Sequence, residues 1–294
     1  MLLTLNSNFF RPFGILGEIE KSIEAGFSSI DLNLCLYKEN VLYFSERDRY
    51  IKEIKKRLAD GNAVIHQTHA PFPSYKEGED EYNKLLKERT LQAIEISAEL
   101  GAKQVIVHPI WFRNDTPAVQ MEKNLALYAP YGEMAKKCGI KIAIENMWGV
   151  LRDCPDKICA NVCSTAEELC AYADALGDGY TVCLDVGHAG LTNEVADEMI
   201  RKIGKKRLGA LHIHDNDFYH DSHNAPFYGK MNWDALTSAL ADIDYNESFT
   251  FEVEGTFWPP VPELRLPAAK YLFEIGKYLV GEIERKKANK GTSL

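Results

Sequence analysis

Histidines and carboxylates recur in this sequence at the ends of short apolar runs. THAP carries His69, VIVHP carries His108 and IAIEN carries Glu145. CLDVGH carries Asp185 and, one turn on, His188; LHIHDND carries His212, His214 and Asp215. An Asp221-Ser222-His223 triplet follows, and FEVEG supplies Glu252 and Glu254. Imidazole nitrogen together with carboxylate oxygen suits Zn²⁺, Mn²⁺, Co²⁺ or Fe²⁺. Taken singly, a His at a strand end is commonly a hydrogen-bonded structural residue, and an Asp there is commonly a helix cap. Taken as a set, the carboxylates would repel one another if the fold brought them together, and a cation removes that repulsion. Residues two apart on a strand share a face. Glu252 and Glu254 therefore point the same way, as do His212 and His214. One of each pair is expected as a metal ligand, and the other behind it or on a substrate. His66 is read as structural.

For such scattered residues to meet, the elements must converge. The strand candidates are Leu2–Asn6, Ser28–Leu34, Ala63–Thr68, Gln104–His108, Lys141–Glu145, Thr181–Asp185, Leu208–His214 and Phe249–Val253. A segment long enough for a crossover helix follows each but the last, and the final helix runs from Leu264 to Tyr278 or beyond. Gly101 and Gly139 sit where helix C-caps are needed. Strands alternating with helical patterns imply βαβ units and a parallel sheet. Eight of them predict a single-domain α/β protein, a (β/α)₈ TIM barrel over 1–285 with a polar C-terminal tail over 286–294. An open doubly wound sheet would show a glycine-rich turn after its first strand, and NSNFFRPFG is not one. In a barrel the C-terminal ends of all strands open on one mouth, so residues far apart in sequence become neighbours.

Bulk composition narrows the partners. The 294 residues carry a net charge of -9 with 46% hydrophobic and 26% charged residues. That balance argues against a general nucleic-acid binder, which needs a basic face. The first ten residues lack the basic start of a targeting signal, and no apolar run is long enough to span a membrane, so a cytoplasmic location is expected. Cys154, Cys159, Cys163 and Cys170 lie close together but form no C-x-x-C pair, and they read as reduced thiols on a loop and the helix after it.

The motifs THAP, VIVHP, IAIENM, CLDVGHA, LHIHDND, Asp221-Ser222-His223 and FEVEG, in this order over about Thr68 to Glu254, resemble the xylose-isomerase-like barrel superfamily. It contains sugar phosphate isomerases and epimerases as well as the endonuclease IV group. The resemblance implies a metal held by Glu145, Asp185, His212 and Glu252. His212 is preferred to His214 because His212 and Asp215 match the pattern H-x-x-D, and Glu252 to Glu254 because it ends its apolar strand. The cofactor implied is a divalent metal (Zn, Mn, Co or Mg, with Zn or Mn favoured).

The same resemblance implies that the metal polarises a substrate carbonyl while Glu145 and Glu252, as catalytic base and acid, work on opposite faces of an enediolate. His69, His108, Trp111, His188, His214, Lys230 and Glu254 are the expected substrate contacts, with Phe112 and Trp148 near the same pocket. Lys230 stands where the family often has an acidic residue, and it reads either as a solvated lysine or as a group that would favour an anionic substrate such as a sugar phosphate. The expected activity is a metal-dependent isomerase or epimerase of carbohydrate metabolism, acting on a small sugar or sugar phosphate. Two alternatives stand beside it. One is a three-zinc phosphodiesterase of the endonuclease IV type, for which His69, His108, His188, Asp221 and His223 would be further metal ligands. The other is a catalytically silent barrel that binds a sugar or metal. A homo-oligomer is the expected assembly, with Phe257 and Trp258 beside Pro259-Pro260 in its interface.

Overall fold

Helices in this chain stop where the backbone can turn left-handed, and strands begin directly after. Gly139 caps the helix Pro117–Cys138 with φ 72°, and the strand Lys141–Glu145 starts two residues on. Gly101, at φ 82°, plays the same part before Gln104–Val107. The computed structural model describes residues 1–254 and 261–291. Barrel strands are β1 Leu2–Asn6, β2 Ser29–Asn33, β3 Val64–His69, β4 Gln104–Val107, β5 Lys141–Glu145, β6 Tyr180–Asp185, β7 Leu208–His212 and β8 Ser248–Phe251. The helices are α1 Gly14–Glu24, α2 Arg47–Asp60, α3 Asp80–Glu99, α4 Pro117–Cys138, α5 Ala166–Leu176, α6 Val186–Leu191, α7 Ala196–Arg207, α8 Trp233–Asp242 and α9 Arg265–Gly291.

Each strand pairs in parallel with the next, and β1 also pairs with β8. The β7–β8 seam is closed just past the strand ends, where Ile213 donates its N–H to Thr250 and accepts one from Glu252. The expected eight-stranded single barrel is therefore the observed one. Two departures concern its surroundings. The segment after β5, expected as a loop, forms an antiparallel hairpin of Trp148–Leu151 with Cys154–Ala160, with a register shift at Val150/Leu151. Pro155 and the polar Asp156-Lys157 disguise its second strand in the sequence, because Pro inside a run argues against a strand. The polar segment expected as a tail from residue 286 instead continues α9 to Gly291, held by Lys286 on Asp234 and Lys287 on Tyr245. Phe257, Trp258, Pro259 and Pro260 lie outside the described residues.

Strand periodicity decides what fills the barrel. Ile106, Ala143, Cys183 and Ala210 form an apolar cluster of their own, separate from the main core. Each stands two residues before His108, Glu145, Asp185 or His212, so each shares an inward row with one of them. Small and branched side chains thus make a floor on which the polar groups of the mouth rest. On the opposite wall the interior is polar: Thr4 bonds Ser29 at 2.8 Å, and Asn6 bonds Asp31 at 3.0 Å. Among the described residues no helix is long and apolar enough to cross a membrane.

Helix α1 buries one acid. Burial pushes the Glu18 carboxyl up to about 7 from its ordinary 4.5, against the lowering pull of Ser7 and Arg11. The folded state therefore holds this proton more tightly than the unfolded chain. Stability is lost as pH rises from about 4.5 through 7 and stays lost above. Glu18→Gln is expected to stabilise the protein at pH 8 by about 1–2 kcal/mol, discounted because the side chain is partly exposed, and to give no gain at pH 4.5. Denaturant unfolding at the two pH values checks this, and an equal effect at both would sink it.

Candidate metal centre at the barrel mouth

Glu145, at the end of β5, is the hub of the mouth. Its Oε2 lies 2.8 Å from His108 Nε2 and 3.6 Å from His69 Nε2. Its Oε1 lies 2.9 Å from His212 Nδ1 and 3.7 Å from His188 Nδ1. The same His212 Nδ1 is 3.2 Å from Glu252 Oε2, so one imidazole nitrogen faces two carboxylates. Asp185 ends β6. Its Oδ1 caps the short helix α6 by accepting from the His188 N–H at 2.7 Å, and it also meets His214 Nε2 at 3.0 Å. The cap reading of this residue and the ligand reading are compatible, because a carboxylate has lone pairs for both. Glu145, Asp185, His212 and Glu252 offer donor atoms that all lie within 4.8 Å of one another. His69, Glu145 and His212 form a second such group, and His188, His214, Asp221 and His223 a third.

Neighbouring groups set which ring nitrogens face the cluster. His188 Nδ1 donates to the Asn146 carbonyl at 2.9 Å, and His223 Nδ1 donates to the Glu252 carbonyl at 2.8 Å. A nitrogen that donates to a carbonyl carries the proton, so Nε2 of each ring is left as a lone-pair donor in the neutral form. Both Nε2 atoms face Asp221, at 3.8 Å and 3.3 Å. Trp148, at the start of the hairpin, donates its indole N–H at 3.1 Å to Asp221 Oδ2, the oxygen that His188 Nε2 faces. His214 and His223 stack face to face with centroids 3.9 Å apart. Gly187 makes room for this: a Cβ there would lie 2.0 Å from the His214 ring.

Burial and charge pull the carboxyls apart. Burial alone would raise Glu145, but His212 and His108 outweigh it and hold the carboxyl well below the usual range. Glu252 moves the other way, raised by burial despite His212 and His223. Burial drives His108 down to about 4, while His188 is raised to about 10, because Asp185 and Asp221 overcome the effect of burial. The donor set is nitrogen and oxygen only, converges from several strands, and includes the buried Asp221 Oδ1 and His214 Nδ1, which lack hydrogen-bond partners. These features fit a divalent cation.

The sequence profile of the xylose isomerase-like TIM barrel family matches residues 19–272. The chain belongs to this family. An uncharacterized protein of Methanocaldococcus jannaschii is 28% identical over 270 residues, spanning 86% of this chain and 83% of its own. A solved D-tagatose 3-epimerase-like protein superposes with a TM-score of 0.78 at 23% identity, covering 97% of this chain and 99% of that one. The IolI protein with a bound zinc atom superposes with a TM-score of 0.76 at 16% identity, again over 97% and 99%. The two likenesses in structure establish the family fold for this member.

Within this xylose isomerase-like barrel, the remaining candidates fall in four places. His69 and His108 stand in the mouth itself, on or just after β3 and β4. Trp111, Phe112 and Trp148 line a cavity of about 590 Å³ that reaches His108. Glu254 accepts from the Asn8 side chain at the β1 side of the mouth. Lys230 stays out of the cluster: it is exposed and lies 5.0 Å over the Tyr219 ring, with its backbone N–H on Asn216. His66 is buried under the sheet, 3.6 Å from Glu247. The described cysteines are free thiols, and none joins one of the three candidate metal groups.

Three residues of this family member that sequence reading passed over also shape the site. Asn146 clasps Asp185 through both backbone groups, at 2.9 Å and 2.7 Å. Asp31 lies 3.5 Å from His212 Nε2, and Cys35 Sγ lies 3.0 Å from His69 Nδ1. Asp31 was legible by parity, since it shares an inward row with Ser29, but it sits inside its strand and not at the end. Asp215, adjacent to the cluster, turned out to hold the loop after β7 together: its carboxylate accepts from Asn216, Phe227, Met231 and the Trp233 indole.

Proposed function

We propose that the chain is a metal-dependent isomerase or epimerase of a small sugar or sugar phosphate. The observation that carries this reading is the meeting of Glu145, Asp185, His212 and Glu252 in one buried group, with the two glutamates on either side of a single imidazole nitrogen. Those four residues would hold the cation, with zinc or manganese favoured. When bound, the cation supplies Lewis acidity toward a carbonyl and an adjacent hydroxyl, which makes the hydrogen between them acidic. Glu145 and Glu252 then take that proton from one face of the substrate carbon and deliver one to the other. His188 holds a substrate oxygen. Trp111 and Trp148 cover the sugar ring and keep water out, in the cavity that reaches His108. The likeness to a D-tagatose 3-epimerase-like protein and to a zinc-bound IolI protein supports the reading. Incubating the purified protein with candidate ketoses and aldoses in deuterated water tests it. At least one sugar is expected to gain deuterium at the carbon beside its carbonyl, and no exchange with any would overturn the proposal.

A second reading has its own support. His69, His108, Glu145, Asp185, His188, His212, Asp221, His223 and Glu252 form one continuous cluster with room for more than one cation. That inventory suits a three-zinc phosphodiesterase, whose metals would clamp both the attacking and the leaving oxygen. Incision of an abasic-site duplex is the measurement that would promote it over the sugar reading.

A further inference from the structure

Strand β2 carries none of the ligand candidates, yet it backs two of them. Asp31 is fully buried on β2 and its Oδ2 lies 3.5 Å from His212 Nε2. Asn6 of β1 fixes that carboxylate by donating to the same Oδ2 at 3.0 Å. His212 Nε2 has no hydrogen-bond partner of its own, so the Asp31 carboxylate is the group that faces this buried nitrogen, and Asp31 Oδ1 beside it is likewise unpartnered. Cys35, just past the end of β2, sets its Sγ 3.0 Å from His69 Nδ1, whose other polar neighbour is the Ala70 carbonyl at 3.2 Å. The two imidazoles stack on each other with centroids 5.6 Å apart and planes 14° apart. Each therefore presents its remaining nitrogen, His212 Nδ1 and His69 Nε2, to Glu145.

We infer that Asp31 and Cys35 are positioning residues that set the tautomer and tilt of His212 and His69, and that β2 thereby tunes the affinity of the mouth for its cation. This rests on the metal reading given above. A carboxylate behind a ligating imidazole holds the proton on the far nitrogen, leaves the near one as a lone-pair donor, and makes that donor more basic. Asp31 acts in this way only because Asn6 holds it and no water-exposed route relaxes it. Cys35 acts through geometry, its sulfur accepting a hydrogen bond from the His69 Nδ1–H so that the proton stays on Nδ1 and Nε2 keeps its lone pair. Loss of such an outer partner weakens metal binding by about 10- to 100-fold in comparable sites.

Titration with Co²⁺, followed both by calorimetry and by the visible ligand-field spectrum, tests the inference on the full chain. Asp31→Ala is expected to weaken Co²⁺ binding by about 10- to 100-fold and to change the shape of the cobalt spectrum. Asp31→Asn is expected to lose less, since it retains a hydrogen-bond acceptor without the charge. Cys35→Ala is expected to weaken binding, with Cys35→Ser restoring it, because a serine oxygen also accepts from Nδ1. A purely structural role for Asp31 would lower thermal stability but leave affinity and spectrum alone. If Asp31→Ala does not fold, Asp31→Asn and the cysteine pair decide. Affinity within twofold of the natural protein and an unchanged spectrum in the folded variants would overturn the inference alone. Absence of Co²⁺ binding by the natural protein would overturn the metal reading and this inference with it.

Discussion

Glu145→Gln and Glu252→Gln are each expected to lower the rate of proton exchange on a responsive sugar by about 10²- to 10⁴-fold, the range spanned by a positioned acid or base. Glutamine keeps the shape and one acceptor oxygen of each side chain, so packing in the mouth changes little. What goes is the negative charge, and with it the ability to hold and release a proton and part of the hold on the cation, so the exchange rate is compared at saturating metal with metal content measured alongside. The two substitutions are not expected to add, because both glutamates serve the same transfer and both face His212 Nδ1, at 2.9 Å and 3.2 Å. Loss in kcat with little change in KM is the signature of a group that acts on the reacting carbon and not on binding alone. Deuterium incorporation measured by NMR in single-turnover conditions reads this step without interference from product release. Should both variants exchange as fast as the natural protein, the glutamates are not the proton-transfer pair, and the reading as a silent sugar- or metal-binding barrel gains.

Chelation carries the second large effect. Stripping the cation is expected to abolish activity and to lower the melting temperature, and returning zinc or manganese is expected to restore both. The physical reason lies in the mouth, where Glu145, Asp185 and Glu252 converge in a buried site with Asp221 close by. A cation that binds only the folded state and is present at 100 times its dissociation constant contributes about 2.7 kcal/mol. For a chain of this size that corresponds to roughly 4–5 °C in melting temperature. Elemental analysis then separates the two functional readings. About one metal per chain fits the group of Glu145, Asp185, His212 and Glu252. In that case His223→Ala leaves the metal content unchanged. Close to three zincs per chain would mean that His69, His108 and His223 are ligands as well, and His223→Ala would then release one. A protein that never holds more than a trace of any divalent metal, and whose melting temperature ignores chelator, would remove the basis of both.

Much of this molecule was legible without coordinates, for reasons that lie in local chemistry. The eight strands announced themselves through apolar runs set off by Gly101, Gly139 and similar stops, because the face of each strand that packs on the helices is apolar and a helix must end before the strand begins. The ligand candidates were legible for a related reason. Each polar side chain at the end of an apolar strand is two residues beyond an inward-facing one, as Glu145 follows Ala143 and Asp185 follows Cys183, so parity alone points it into the mouth. The hairpin of Trp148–Leu151 with Cys154–Ala160 was not legible, because its pairing is between two weak strands whose composition includes Pro155 and whose stability comes from each other.

Tertiary structure alone decided the rest. Sequence left His212 and His214 as equals by spacing, separable only through a family pattern. In the fold His212 meets Glu145 and Glu252, while His214 turns to Asp185 and stacks on His223 in the space that Gly187 leaves. Lys230, placed in the pocket by its position in a motif, lies outside the cluster because the loop that Asp215 holds carries it to the surface over Tyr219. Asp31 and Cys35 gained their roles only from the neighbours that β1, β3 and β7 bring to them. Residue type and spacing determined that a barrel mouth rich in histidine and carboxylate was available to this chain. Which nitrogen faces which oxygen depends on distances of a few tenths of an ångström across strands far apart in sequence, and only the closed barrel sets those.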